Sequence, residues 1–369
     1  MKVLQISKFY PPVHGGIEQV AFDISEGLAK EKNQSVDVLC VDPIGKRPSD
    51  LAKKYKIFRQ KLWLVLFSTP FSFSFITKWH NLRCKYDIVH VHLPNPLAVL
   101  SLFIFPPKGK IILHWHSDIV KQKKLLILFY PFQRWILKKS SSIIVTSPIY
   151  GKCSPSLQNF QDKIRCIPIG VNTNDMPINL HMEKIIKDTY QDKKIVFTLG
   201  RLVYYKGINY LIDASKLLPD DYVVLIGGAG PLYNDLEKQI VDNNLSEKVI
   251  LLGSVKYENL SSYYKCCDIF CLPSIHESEA FGVVQLEAMS FSKPLVSTDI
   301  PGSGVSWVNQ HRTSGIVVAP CNPEALAKGI LEVMDNNEKY SRGSKERFEA
   351  FFTKDLMVNH VSDLYLSLK

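Results

Sequence analysis

IFCLPSIHESEAFGVVQLEAM (269–289) reads as three pieces in succession. Ile269–Ser274 is an apolar run of strand length, and Phe281, Val284, Ala288 and Met289 recur at helical spacing. A buried strand therefore passes through a short polar turn into a helix. The turn carries Glu279 and the helix carries Glu287, with seven residues between them. With a helix starting near Phe281, the two carboxylates stand about 12 Å apart along its axis, at roughly 1.5 Å per residue. Exposed N–H groups at a helix start attract an anion. The stretch thus suits a ligand with hydroxyls at both ends and a phosphate between, as in a nucleotide-diphosphate sugar. Two solvated glutamates on one helix are the alternative for the pair taken alone.

Strand-then-helix units recur in both directions from this stretch. Upstream and downstream lie IVFTLG (195–200), YVVLIGG (222–228), VILLG (249–253), PLVSTD (294–299) and GIVVAP (315–320). An earlier series comprises VLQIS (3–7), VDVLC (36–40), IVHVH (88–92), KIILHWH (110–116), SIIVTS (142–147) and IRCIP (164–168). Such alternation predicts parallel α/β architecture. GVNTNDMPINL (170–180) is rich in turn formers and reads as a linker. The expectation is two doubly wound domains facing a cleft, 1–172 and 173–350, with an amphipathic helix over 351–369 packing back on the first. At 369 residues and 46% hydrophobic content, the chain can furnish two cores.

Charge is unevenly shared. Residues 1–175 carry 25 Lys and Arg against 11 Asp and Glu, and residues 176–369 carry 20 against 24. The first half, at +14, faces something anionic. Nucleic acid lacks any helix-turn-helix, zinc-finger or RNA-binding signature. KKYKIFRQKLWLVLF (53–67) and KQKKLLILFYPFQRWILKK (121–139) instead mix lysines with Trp63, Phe67, Phe129 and Trp135, as interfacial segments on anionic membranes do. Buried helices with a solvated basic edge are the alternative. The uncharged stretch 62–77 is interrupted by Pro70 and is too short for a membrane span. The start lacks a signal-peptide core. The eight cysteines follow no zinc spacing, and Cys40 and Cys271 sit in apolar runs, which suits free thiols in a reducing, cytoplasmic setting.

Three further turns carry candidate chemistry. Gly15 and Gly16 lie between the first strand and a helix, where a missing Cβ lets a phosphate approach the backbone. Arg201 and Lys206 in GRLVYYKG (200–207) follow a strand and suit a diphosphate that gains charge as its bond to a sugar breaks. Gly228 and Gly230 in IGGAGP (226–231) serve a phosphate or close packing. HWHSD (114–118) ends a strand; His114 and His116 point the same way, but no third ligand has a zinc spacing. A histidine there can meet a sugar hydroxyl or serve structure.

In this order the pieces resemble family 4 of the retaining glycosyltransferases, whose GT-B fold sets two Rossmann-like domains face to face. The likeness spans GGIE (15–18), HSD (116–118), IPIGVN (167–172), GRLVYYKG, IGGAGP and the glutamate pair with EAMSFSKPLVSTD (287–299). It implies that Gly16 meets the donor diphosphate or departing sugar, with Gly15 and Gly228 kept as donor-binding candidates from their turns, and that Arg201 and Lys206 neutralise the diphosphate. It implies that Glu287 binds ribose, that Glu279 holds hexose hydroxyls beside the N–H groups of Ala280, Phe281 and Gly282, and that His116 reaches the sugar near its anomeric centre. The family works without metal, in keeping with the missing Asp-x-Asp motif.

HVHLPNPLA (90–98), HWHSDIV (114–120), VTSPIY (145–150) and SGVSWVNQHRTSGIVV (303–318) resemble, more narrowly, O-antigen mannosyl- and rhamnosyltransferases of bacterial surface polysaccharide synthesis. That likeness implies a GDP-hexose donor, mannose-like, and an undecaprenyl-diphosphate-linked acceptor met by an enzyme peripheral on the inner face of the cytoplasmic membrane. Ser278 and Ala280 stand where such relatives often have glycine, which bears on the shape of the sugar pocket. A UDP-sugar-dependent transferase, a nucleotide-sugar 2-epimerase and a non-catalytic nucleotide-sugar-binding subunit remain as alternatives.

Overall fold

The computed structural model describes residues 1–368 apart from 14, 31–33, 45–46, 48–49, 51–52, 67–68 and 119–122, and describes 123–127 by backbone alone. The chain divides into two compact units, Met1–Gly170 with Lys354–Lys369, and Val171–Thr353.

The first unit holds β1 (Lys2–Ile6), β2 (Ser35–Asp42), β3 (Ile57–Lys61), β4 (Leu64–Leu66), β5 (Thr69–Phe71), β6 (Ile88–Leu93), β7 (Lys110–Trp115), β8 (Ser142–Val145) and β9 (Ile164–Cys166). Seven of them form one parallel sheet in the order β3-β2-β1-β6-β7-β8-β9, while β4 and β5 pair as an antiparallel hairpin. Its helices are α1 (Gly16–Leu28), α2 (Phe73–Leu82), α3 (Pro96–Ile104), α4 (Lys123–Lys139) and α5 (Pro148–Cys153). Every residue of β6 is buried, as expected for a parallel strand covered on both faces. In α1 the buried Val20, Ala21, Ile24 and Leu28 make the stripe that meets the sheet.

Two of the motifs resolve into helix starts. Asn95 and Ser147 accept hydrogen bonds from the Ala98 and Tyr150 amides, and Pro96 and Pro148 open the first turns of α3 and α5. A capping side chain followed by proline satisfies one orphan amide and removes another.

The second unit contains α6 (Leu180–Thr189), β10 (Lys194–Leu199), α7 (Ile208–Ser215), β11 (Tyr222–Gly227), α8 (Tyr233–Asp242), β12 (Val249–Gly253), α9 (Tyr257–Cys266) and β13 (Ile269–Leu272). It continues through α10 (Val283–Ser290), β14 (Leu295–Thr298), α11 (Val305–Val308), β15 (Gly315–Val318), α12 (Pro323–Asp335) and α13 (Asn337–Phe351). The sheet is parallel, in the order β12-β11-β10-β13-β14-β15. Its core gathers Val196, Leu211, Val224, Ile226, Ile269 and Val296 from alternate elements. Strand order reverses between β1 and β6 in one sheet and between β10 and β13 in the other, and ligands of such sheets bind beyond the strand ends at those points.

α14 (Lys354–Ser367) belongs to the first unit. Lys354 pairs with Asp23 of α1 at 2.9 Å, and Gln34 donates to Ser362 at 2.5 Å. Where the chain re-enters, the Val171 amide donates to the Phe352 carbonyl at 2.9 Å and Val171 bridges Thr353.

Two expectations need correction. The alternative of a buried helix does not hold for segment 53–67: its described residues include β3 and β4, and Arg59 turns inward to pair with Asp42 at 3.0 Å and Asp50 at 2.8 Å. A buried, paired cation breaks the pattern by which a strand is read. The helix expected from Phe281 begins at Val283, because Gly282 takes a left-handed φ of 75° as its N-cap. The stretch 62–77 contains the β4–β5 hairpin and the start of α2, and no described helix is long and apolar enough to cross a membrane. Cys40 and Cys271 are buried free thiols.

Candidate active site

At the switch point of the second sheet, the loops after β10 and β13 are laced together. The Ile275 amide donates to the Tyr205 carbonyl at 2.9 Å. Gly207, at φ 63°, lets the first loop lie on the second; a Cβ there would come within 2.2 Å of the Pro273 carbonyl oxygen. Lys206 is nearly buried, and its Nζ sits 2.5 Å from Glu279 Oε2. Ser274 Oγ donates to the same oxygen at 3.0 Å. Arg201, on the same loop, is exposed and has no ion pair among the described residues. The fold thus joins Glu279 of the opening stretch to the lysine of GRLVYYKG.

Between Glu279 and α10 the peptide carbonyls are all turned to protein donors. Ser303 Oγ donates to the Glu279 carbonyl, the Gly304 amide to that of Ala280 at 2.8 Å, and Gln285 Nε2 to that of Phe281 at 3.3 Å. The N–H groups of Ala280, Phe281 and Gly282 have no acceptor among the described residues. They precede the N-terminus of α10, where partial positive charge gathers. One turn into the helix, Glu287 accepts from Tyr264 Oη at 2.6 Å. Surrounding protein raises the Glu287 pKa by desolvation, and the Tyr264 hydrogen bond opposes that rise. In sum, one cation, a row of free amides and two carboxylates line a single strand–turn–helix.

Gly228 and Gly230 hold β11's turn against the loop after β10. Added Cβ atoms would lie 1.8 Å from the Gly200 carbonyl oxygen and 2.3 Å from that of Leu202. Both glycines therefore serve close packing.

Gly15, Gly16 and His116 lie in the first unit. Gly15 is the N-cap of α1 with extended backbone, and a Cβ on Gly16 would meet nothing within 4 Å. Both are exposed beyond β1. His116 follows β7 and is buried, and desolvation lowers its pKa to about 3. Asp118 is an anchor: it accepts from Trp115 Nε1 at 3.2 Å and from Tyr150 Oη at 3.0 Å, tying HWHSD to VTSPIY.

A family model described as "Glycosyltransferase Family 4" matches residues 14–175, and one described as "Glycosyl transferases group 1" matches 182–349. O-antigen chain mannosyltransferase C of Escherichia coli is 33% identical over 374 aligned positions, covering 100% of this chain and 99% of that protein. The chain belongs to glycosyltransferase family 4. D-rhamnosyltransferase WbpZ of Pseudomonas aeruginosa, another relative, is 31% identical over 96% of this chain and 92% of its own. Among solved structures, sucrose-phosphate synthase of Thermosynechococcus elongatus superposes with a TM-score of 0.80 at 21% identity, covering 100% of this chain and 98% of that one. Anabaena HepE, solved with UDP and glucose, superposes at 0.76 and 18% identity over the whole of both chains. These neighbours fix the fold of the family 4 enzyme as GT-B.

The family 4 enzyme also contains a group the sequence did not reveal. β6 and β7 run side by side with His92 opposite His114, gathering His90, His92, His114 and His116 into one buried stack. Ligand nitrogens of His90, His92 and His114 lie within 4.8 Å of one another, as those of a metal centre would. Their planes are inclined by only 5° to 24°, however, so the in-plane lone pairs do not converge on one point. Both ring nitrogens of His92 are hydrogen-bonded besides. The stack does not fit a metal ion. Spacing along the chain could not disclose it, since strand register brings its members together.

Proposed function

We propose that the chain transfers a mannose-like hexose, with retention and without a metal, from a GDP-linked donor to an undecaprenyl-diphosphate-linked acceptor in O-antigen synthesis. The observation that carries this reading is the Lys206–Glu279 pair beside the free amides of residues 280–282. Similarity to the mannosyl- and rhamnosyltransferases supports the choice of sugar and pathway. In the proposed binding mode the diphosphate lies across the amides, Lys206 and Arg201, with hexose hydroxyls on Glu279 and ribose on Glu287. Gly15 and Gly16 let the donor approach the first unit's backbone, and His116 meets the sugar. The bond from C1 to the diphosphate oxygen breaks as the acceptor oxygen bonds to C1 on the same face. The leaving diphosphate takes the acceptor's proton, and the cations stabilise the charge it gains.

A thermal-shift panel of nucleotide sugars tests the donor. GDP-mannose and GDP are expected to stabilise far more than UDP and UDP-glucose; the reverse order rejects a GDP donor. Incubating donor alone tests the chemistry, since a new nucleotide sugar formed without acceptor would mark an epimerase. Glu287→Ala is expected to weaken binding of free nucleoside diphosphate by about tenfold or more, through loss of hydrogen bonds to a charged group. Glu279→Gln should spare the nucleotide and impair the hexose. Calorimetry with nucleotide and with intact donor reads both, and equal losses from the two variants would reject the division of roles.

In this reading the first unit docks on anionic membrane. Trp63 and Leu66 of the hairpin, Phe73, Ile104 of α3, and Leu128 and Tyr130 of α4 are exposed, and the hairpin, α3 and α4 are neighbours. Trp63 packs on Phe73 with centroids 5.0 Å apart. Phe67 and Lys121 lie outside the described residues, as do the side chains of Lys123 and Lys124. Each basic residue near such a surface contributes about 1 kcal/mol, weakened by salt. Co-sedimentation with vesicles should require acidic phospholipid and fall with salt. Replacing Lys121, Lys123 and Lys124 by Ser should reduce it and spare activity on a water-soluble acceptor. Equal binding to neutral vesicles would place the docking surface elsewhere.

A further inference from the structure

We propose that Gln5 and His92 are positioning residues that hold His116 as its Nε2–H tautomer, so that its Nδ1 accepts a hydrogen bond from a substrate hydroxyl. The inference rests on the reading that places His116 at the sugar.

The chain of contacts begins on α14. Tyr365 Oη lies 2.5 Å from His90 Nδ1 and accepts from Gln5 Nε2 at 2.9 Å. With the Gln5 amide nitrogen so engaged, its Oε1 faces His92 Nε2 at 2.9 Å, and only an N–H on His92 can bond to it. Burial holds His92 neutral, so that ring has a single proton and gives it to Gln5. Its Nδ1 is then an acceptor. The 3.0 Å contact between His92 Nδ1 and His116 Nε2 therefore takes its hydrogen from His116. His116 is neutral as well, which leaves a bare lone pair on Nδ1.

Among the described residues that atom has no protein partner, and it is not among the buried polar atoms left unpaired, which in this stack are His90 Nε2 and both nitrogens of His114. It is the outlet of the network. A bare imidazole nitrogen accepts and cannot donate, so it bonds a hydroxyl and repels a phosphate oxygen. The hydrogen bond made by one ring nitrogen dictates what the other can do.

Imidazole nitrogen shifts of the whole protein labelled with 15N-histidine read the tautomer directly. The His116 resonances are assigned by their loss in His116→Gln. At neutral pH the expected pattern is a protonated Nε2 and a bare Nδ1. A protonated Nδ1, the result of a Gln5 amide turned end for end, overturns the proposal, and this measurement needs no variant to be active. Kinetics supply a second arm. His92→Leu removes the acceptor and should lower kcat by about tenfold, the worth of one hydrogen bond, with donor KM little changed. His92→Asn keeps a carboxamide oxygen near the place of Nδ1 and should restore most of that loss. Equal losses from both variants would make His92 a packing residue and overturn the positioning role. If the tautomer is as expected but His116→Ala transfers sugar normally, the placement of His116 at the sugar fails while the hydrogen-bond order stands.

Discussion

Lys206→Ala is expected to lower turnover by about 10²–10³-fold while donor affinity changes much less. The charge on the diphosphate grows as its bond to the sugar breaks, so a cation there contributes most in the transition state. Glu279 gives the lysine a defined place before donor arrives, 2.5 Å from its carboxylate. Its side chain is only 10% exposed, and a Cβ at Gly200 would stand 3.1 Å from its Cε, so the turn leaves it little freedom. Arg201→Ala should act in the same direction; the exposed Arg201 side chain has no ion pair among the described residues, so the proposed donor is expected to order it. Single-turnover transfer to a lipid-linked acceptor, with donor titration in parallel, measures both quantities. An unchanged turnover number in a folded Lys206→Ala variant would remove this loop from the chemistry.

The first unit should lose stability steeply as the pH falls below about 6.5. Burial lowers the pKa of His90, His92 and His114 well below the ordinary value, and that of His116 to about 3. An unfolded chain takes up these protons near pH 6.5, whereas the folded unit does not. The stabilising effect is therefore complete above that pH and is lost as the pH falls toward the folded values. Each histidine contributes a limiting slope of about 1.4 kcal/mol per pH unit, so four together remove up to about 5–6 kcal/mol per unit from the roughly 5–15 kcal/mol that holds a domain folded. Urea unfolding at pH 7.5, 6.5 and 5.5, followed by tryptophan fluorescence, should show the midpoint dropping. His114→Phe sacrifices no side-chain hydrogen bond and should flatten the slope by one proton. A midpoint that does not move across this range would mean that the stack is hydrated.

Strands such as β10 and β13 could be read directly because a covered parallel sheet demands near-continuous apolar runs. The second-unit motifs were equally legible, each lying on a turn that immediately follows such a strand. β3 was not, since Arg59 is buried through its pairing with Asp42 and Asp50, a compensation separated in sequence. Nor was the start of α10, where Gly282 delays the helix by two residues. The histidine stack escaped for a different reason. IVHVH and HWH each announce a strand, but only the pairing of β6 with β7 tells that His92 and His114 are neighbours. Local pattern reveals elements; register across a crossover decides which polar groups meet.

Because residues 354–369 complete the first unit, the order of synthesis differs from the order of assembly. When residues 1–170 leave the ribosome, Gln5 and His90 lack the Tyr365 hydroxyl, and Asp23 lacks Lys354. Residues 171–353 emerge next and can form their own sheet without waiting. The nascent first unit therefore spends the whole translation of the second with an open seam along α1 and an unfinished polar network. A ribosome that stalls near Thr353 would release a complete second unit joined to an incomplete first. Quality-control proteases could distinguish that product from the finished enzyme by the exposed groove where α14 belongs.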